Sequence, residues 1–217
     1  MARALADEGC HLILTARALS SLERIAKRLA RRGTRTLPVA CDIRDPHAVE
    51  ALARNTKKHF SCVDILINNA GIAHPDLPVA KLPFEIWREV LATNLTGTFL
   101  VTHEILPLMR RGGTIVNNLS IAATRVFPGS SAYNASKHGA LGLTNTLREE
   151  LRPKGIRVIA LLPGATDTEI WRTLWPTAPR TKMMSPQTVA KALMAALLLP
   201  ENSTVESLTI APSIGAL

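Results

Sequence analysis

The stretch VDILINNAG, residues 63–71, decides the fold. Val63, Ile65, Leu66 and Ile67 make an almost wholly apolar run that is too short for a helix and rich in β-branched residues. Such a run predicts a strand over 63–68 buried on both faces, as strands are in parallel sheets covered by helices. The abrupt change to Asn68, Asn69, Ala70 and Gly71 marks its carboxyl end. In open α/β sheets ligands collect outside that end, so polar and glycine residues there are candidates for binding.

The same alternation extends in both directions. Strands are predicted over 10–16, 36–41, 114–119, 157–162 and 207–211. Helices are predicted over 20–32, 46–59, about 83–111 with a break near Pro107, 132–152 and 186–199. Residues 2–8 look like the back half of a helix that closes at Gly9. Strands separated by helices imply an α/β fold with a doubly wound parallel sheet, three layers deep. No internal repeat or linker divides the 217 residues, so one domain over 1–217 is expected.

Composition narrows the function classes. Hydrophobic residues are 47% and charged residues 20%, as in ordinary globular proteins. Cys10, Cys41 and Cys62 form no CxxC pair and are odd in number, which suits a reducing compartment, hence a cytoplasmic location, and no metal is expected. A secretory leader is not expected, because Asp7 and Glu8 interrupt the place of its apolar region, and no run is long enough to span a membrane. The net charge of +9 invites a nucleic-acid reading. Yet the doublets Arg31-Arg32, Lys57-Lys58 and Arg110-Arg111 fall near predicted helix ends, where cations complement the dipole. With one Tyr and four Phe there is little to stack bases, so no nucleic-acid partner is expected.

The residues after each predicted strand are Arg17, Asp42-Ile43, Asn68 to Gly71, Ser120 and the PGATDT run from Pro163 to Thr168. Each alone could be a turn or a helix cap. The stretch SSAYNASKHG, residues 130–139, carries more chemistry. Tyr133 and Lys137 stand four apart in a helical pattern and so share a face. An ammonium beside a phenol stabilises the phenolate and lowers its pKa, which makes Tyr133 a candidate acid or base. It is the only Tyr in the chain, and Ser120 ends a strand thirteen residues earlier.

NNAG, the Asn in TNLTGTF, the Ser-Tyr-Lys set and PG followed by Thr appear in one order along the chain. In this the sequence resembles the short-chain dehydrogenase/reductase family over essentially its whole length. The resemblance implies a Rossmann-like fold, a nicotinamide cofactor, and hydride transfer between that cofactor and an alcohol or carbonyl carbon. By it, Tyr133 exchanges a proton with the substrate oxygen, Lys137 holds the nicotinamide ribose and depresses the Tyr pKa, and Ser120 orients the substrate. Asn94 would open its helix and support a water chain to Lys137. Asn69, Ala70 and Gly71 would run beside the cofactor, Asp42 and Ile43 would flank the adenine, and Thr166 and Thr168, after Pro163-Gly164, would engage the carboxamide and phosphate.

Arg17 takes the position where a guanidinium suits the 2′-phosphate, so NADP(H) is preferred, with NAD(H) left open. Residues 169–184 stand where the family keeps its substrate lid; Trp171 and Trp175 would form its apolar wall or anchor it shut. The expected substrate is a carbonyl compound, small or carrier-bound. Both 3-oxoacyl-carrier-protein reductase-type sequences and NADP-dependent 3-hydroxy acid dehydrogenases are resembled. The helices about 83–111 and 132–152 correspond to the family's subunit interface, implying a homodimer or homotetramer.

The family also begins with a strand and a TGxxxGxG turn that these residues do not contain. The missing strand is the central one of the order 3-2-1-4-5-6, so the expected fold is an N-terminally truncated form with a gap between the strands at Cys10 and Val63. Two consequences stay open: a longer working enzyme, or a catalytically weak subunit that pairs with a complete homologue.

Overall fold

The computed structural model describes residues 1–30 and 33–215. The Arg31-Arg32 doublet lies outside the described residues. In chain order the main elements are α1 (Ala2–Asp7), β1 (Leu12–Ala16), α2 (Leu19–Ala30), β2 (Thr36–Ala40), α3 (Pro46–His59), β3 (Val63–Asn68), α4 (Phe84–Leu91), α5 (Gly97–Ile105), β4 (Met109–Asn118), α6 (Ser131–Leu151), β5 (Arg157–Pro163), α7 (Trp171–Leu174), α8 (Pro186–Leu197) and β6 (Ser207–Ile210). All strand pairs are parallel: β1 with β2, and β3-β4-β5-β6 in that order. Among the described residues no ladder joins β1 to β3.

Local chemistry explains the sharpest boundaries. Asp45 caps α3 by accepting from the His47 N–H at 2.9 Å, and Pro46 takes the first turn, where its missing donor costs nothing. Helix α1 closes in a Schellman motif. The Cys10 N–H donates to Leu5 O and the Gly9 N–H to Ala6 O, both at 3.0 Å, with Gly9 at φ +80°.

The helical stretch expected over 83–111 breaks near Pro107 as expected, and only its last part, from Met109, is corrected to strand. The helix stops at Ile105, followed by a 3-10 turn over Leu106–Leu108, because Pro107 cannot continue an α-helical ladder. Between α4 and α5 the chain widens into one π turn, Ala92–Thr96, which contains Asn94. The following strand starts at Met109 rather than 114. Val63 pairs with Met109 and Ile65 with Thr114, so residues 110–113 bulge out of an otherwise regular ladder. Arg110 and Arg111 therefore sit in β4 and cap no helix, whereas Lys57 and Lys58 do occupy the last turn of α3.

Helices cover both sheet faces. Leu5 of α1, Leu29 of α2 and Val189 and Leu193 of α8 pack with Leu12, Val116, Ile159 and Leu161. On the opposite face Val49 and Leu52 of α3 meet Val101 and Ile105 of α5, and Ile115 and Val158 meet Leu147 and Leu151 of α6. Adjacent Ile115 and Val116, both fully buried, thus point to opposite layers, as strand pleating demands.

Candidate active site

Three strand ends and one helix build the site. Strand β4 ends at Asn118, and the chain turns through Ser120 into a 3-10 turn, Ile121–Ala123, which Ser120 caps as its Oγ accepts from the Ala122 N–H at 3.1 Å. Helix α6 then returns across this point and brings Tyr133 and Lys137 beside it. Lys137 Nζ lies 5.5 Å from the centroid of the Tyr133 ring. A cavity of about 550 Å³ opens here, lined by Ser120, Tyr133 and Lys137 together with Asn69, Gly71, Pro163, Gly164, Thr166 and Thr168. Nine residues expected from the sequence at widely separated positions thus face one space.

Lys137 is 5% exposed and donates one hydrogen bond, 3.3 Å to Asn118 O. Burial pulls its pKa down from the usual lysine value to about 8. Burial also pushes the Tyr133 phenol up, and the Ser120 hydroxyl offsets part of that rise. The net shift of the phenol is upward because loss of solvent outweighs the Ser120 hydrogen bond. A Tyr133 that keeps its proton at neutral pH is suited to giving it away.

Asn94, 3% exposed, is held in the π turn. Its Nδ2 donates to Ile72 O at 2.9 Å and to Ser136 Oγ at 3.0 Å, and its Oδ1 accepts from the Ile72 N–H at 2.8 Å. The side chain clamps the segment after Gly71 to α6, one residue before Lys137. A Cβ on Gly71 would stand 3.4 Å from Asn94 Oδ1 and 3.5 Å from Lys137 Nζ, so this glycine leaves the approach to the ammonium open. Ser136, which donates to Tyr133 O at 2.8 Å, completes the clamp; nothing in the sequence pattern distinguished it from an ordinary helix residue.

The remaining expected residues lie outside the cavity lining. Arg17 follows β1 and Asp42 follows the neighbouring β2, so both stand on one edge of the sheet. Asp42 is engaged by Arg44 through Nε and Nη2, the latter at 2.6 Å, and Arg44 also reaches Glu89 of α4 at 3.1 Å. These hydrogen bonds hold the Asp42 carboxyl down to about 2, with Arg17 adding a smaller attraction. Ile43 packs against α5, where a Cβ on Gly97 would come within 2.7 Å of it. Ala70 is exposed between Asn69 and Gly71.

Residues 166–184 form one wall. Thr166 bridges to Met184, the Asp167 N–H donates to Met184 O at 2.8 Å, and the Arg180 guanidinium pairs with the Asp167 carboxylate. Trp171 lines the cavity and also anchors the wall by donating its indole N–H to Thr166 O at 2.8 Å; Trp175 lines it 6.5 Å away, centroid to centroid. Both roles expected of these tryptophans are present in Trp171. The sequence reading missed Asn118 and Asp76, which also line the cavity. Asn118 had a signal: it ends β4 beside Asn69 at the end of β3, and its Nδ2 donates to Asn69 Oδ1 at 2.8 Å.

The sequence profile of the short chain dehydrogenase family matches residues 1–179. Dehydrogenase/reductase SDR family member 4 of Rattus norvegicus is 32% identical over 186 residues, which are 85% of this chain and 67% of that protein. An alcohol dehydrogenase from Thermococcus sibiricus, solved with 5-hydroxy-NADP, superposes with a TM-score of 0.92 at 28% identity, covering 100% of this chain and 92% of that one. A 3-ketoacyl-(acyl-carrier-protein) reductase from Brucella melitensis, solved with NADH, gives 0.87 at 28% identity, over 98% and 90%. A strand-end serine, a YxxxK helix and an asparagine in a π turn, converging on one cavity of a parallel α/β sheet, come from a chain that belongs to the short-chain dehydrogenase/reductase family of oxidoreductases.

Proposed function

We propose that this chain transfers hydride between a nicotinamide cofactor, NADP(H) in preference to NAD(H), and a carbonyl or alcohol substrate of the 3-oxo/3-hydroxy class, with 3-oxoacyl compounds foremost. The observation that carries this reading is the buried Lys137 ammonium, which spends one hydrogen bond on Asn118 O and lies next to Tyr133 in a cavity that Ser120 also lines. Its other N–H groups fit a pair of ribose hydroxyls, and the uncluttered face of Gly71 fits a flat group passing close to the backbone. The solved relatives that carry an NADP derivative or NADH support the choice of cofactor class.

Residues Asn69, Ala70, Gly71, Pro163, Gly164, Thr166 and Thr168 would hold the nicotinamide end, and Asp42 and Ile43 the adenine side. Arg17, exposed at the sheet edge, supports NADP(H), since a guanidinium pairs well with a phosphate monoester. When bound, the nicotinamide supplies or accepts the hydride. Ser120 donates a hydrogen bond that fixes the substrate oxygen. Tyr133 gives that oxygen its proton as the carbonyl carbon is reduced, and takes it back in oxidation. Lys137 balances the phenolate with its charge, and Asn94 and Ser136 keep the helix turn that carries both in register. Trp171 and Trp175 shield the reacting carbon from water.

The same reading takes residues 1–217 as one domain of a cytoplasmic homodimer or homotetramer, assembled through α4–α5 and α6. The outward Phe99, 49% exposed and stacked on His103 of α5, suits such a contact. Among the described residues no helix is long and apolar enough to cross a membrane.

Tyr133→Phe tests the chemistry. Loss of the proton should lower kcat by about 10²-fold or more, with NADPH affinity changed by less than about threefold, measured by single-turnover kinetics and cofactor titration. Turnover within a few-fold of the parent would remove Tyr133 from its role. If NADPH at millimolar concentration neither raises the melting temperature nor turns over, the chain is instead the catalytically weak interaction subunit.

A further inference from the structure

Asp76 is the one carboxylate among the described residues that line the Tyr133 cavity, and the proposed chemistry leaves it without a task. Its position is built. The backbone at Gly129 adopts φ +78°, and a Cβ there would fall inside the Asp76 carboxylate, so glycine is required both by conformation and by the seat it makes for the acid. The Leu77 N–H donates to Gly129 O at 3.0 Å, and Leu77 bridges to Ser130, the residue that precedes α6. The loop bearing Asp76 is thus clasped to the start of the helix bearing Tyr133. Asp76 forms no hydrogen bond or ion pair with another described residue, and its side chain is exposed at the cavity mouth.

The surroundings give this charge a direction of effect. The same cavity is lined by Phe127, Pro128 and Ser130, which flank the Gly129 that seats Asp76, and by the apolar Trp171 and Trp175. A substrate with its carbonyl at Tyr133 shares the cavity with these apolar side chains and with the carboxylate. The fixed negative charge repels an anionic tail, and its free lone pairs accept from an N–H or O–H.

We propose that Asp76 is a specificity-determining residue, selecting uncharged 3-oxo compounds that carry an N–H or O–H donor beyond the reacting carbon and rejecting free 3-oxo acids. This rests on the carbonyl-reductase reading above and refines its substrate class: amide-bearing acyl esters and thioesters pass, while a free 3-hydroxy acid does not.

An isosteric pair isolates the effect. 3-Oxobutanamide and 3-oxobutanoate differ in the replacement of a neutral donor by an anion. The parent protein should reduce the amide with a kcat/KM at least about tenfold above that for the acid, and Asp76→Asn should narrow the ratio by about fivefold to tenfold, mostly by improving the acid. Asp76→Ala, which keeps no polar atom, should narrow it as well. Binding of 3-hydroxybutanamide and 3-hydroxybutanoate, followed by quenching of Trp171 and Trp175 without cofactor, gives the same comparison independent of hydride transfer.

A ratio that shifts in both assays supports the proposal. A ratio that shifts in binding alone, with no NADPH oxidation by the parent, keeps Asp76 as the selector and overturns the enzyme reading instead. The proposal itself is overturned if the ratio stays fixed, if both ligands weaken equally in the variants, or if neither ligand quenches the parent protein.

Discussion

At Lys137 a single side chain links stability and catalysis with opposite signs. Its ammonium is buried and its pKa in the folded chain is about 8, below the lysine value of 10.5. Between those two values the unfolded chain holds a proton that the folded chain has released, so stability rises as pH rises across that window. Below about pH 8 the full burial penalty is present, at most about 3 kcal/mol from the size of the shift. Lys137→Met removes the charge at similar length. Urea unfolding should find the variant more stable than the parent at pH 7, with the difference shrinking toward pH 10. Carbonyl reduction should show the reverse trend, falling as pH rises through about 8, because the charged form is the one that balances the phenolate. A parent protein whose stability is flat between pH 8 and 10 would show that Lys137 is solvated. That Tyr133 and Lys137 share one helix face was legible from their spacing, while their assigned roles came from the resemblance to the family. Asp76 was not legible, because its partner Gly129 is brought to it by a bridge between segments more than fifty residues apart.

Among elements, the boundaries that local chemistry sets were those the sequence showed best. Helix α3 and strand β3 have the expected limits, since Asp45-Pro46 starts the one and a run of β-branched residues fills the other. The 110–113 bulge was hidden because nothing about Arg110-Arg111-Gly112-Gly113 distinguishes an irregular strand from a helix end followed by a turn. Also hidden was a lateral tie between layers. Asn68 Nδ2 donates to Asn117 Oδ1 at 2.8 Å and to Thr102 Oγ1 at 2.9 Å, and Asn117 Nδ2 donates to Thr144 Oγ1 at 2.8 Å. It joins β3 and β4 to α5 and α6, and Asn117 and Thr144 are fully buried. The doublets in INNAG and VNNLS announce polar strand ends, but sideways pairing requires the register of β3 on β4. Asn117→Ala leaves donors and acceptors unpaired in the interior, and should destabilise the chain by about 2–3 kcal/mol in urea unfolding. Adding Thr144→Val should cost less than the sum of the two single changes, because the partner has already been lost. Strict additivity would mean that Asn117 and Thr144 act independently.

For the whole molecule the question is how a sheet in two parts behaves as one body. A two-stranded sheet is at best marginal alone, and β1–β2 has no ladder to β3 among the described residues. What joins the parts is side-chain packing. One apolar cluster runs from Leu5 and Leu12 through Leu193 to Val116, Ile159 and Leu161, touching both sheet parts on one face. On the other face Val39 of β2 and Leu66 of β3 pack against a cluster of α3 and α5 residues. Leu193, 1% exposed in α8, lies in the first of these clusters, which no backbone hydrogen bond could replace. Leu193→Ala should therefore lower stability by about 2–5 kcal/mol, the usual range for a buried leucine. The parts share their core, so the urea transition should stay single with its slope unchanged, and fluorescence and circular dichroism should give coincident midpoints. A variant that unfolds in two separated steps, with the amides of β1–β2 exchanging in the first, would show that the clusters do not bind the sheet parts into one cooperative unit.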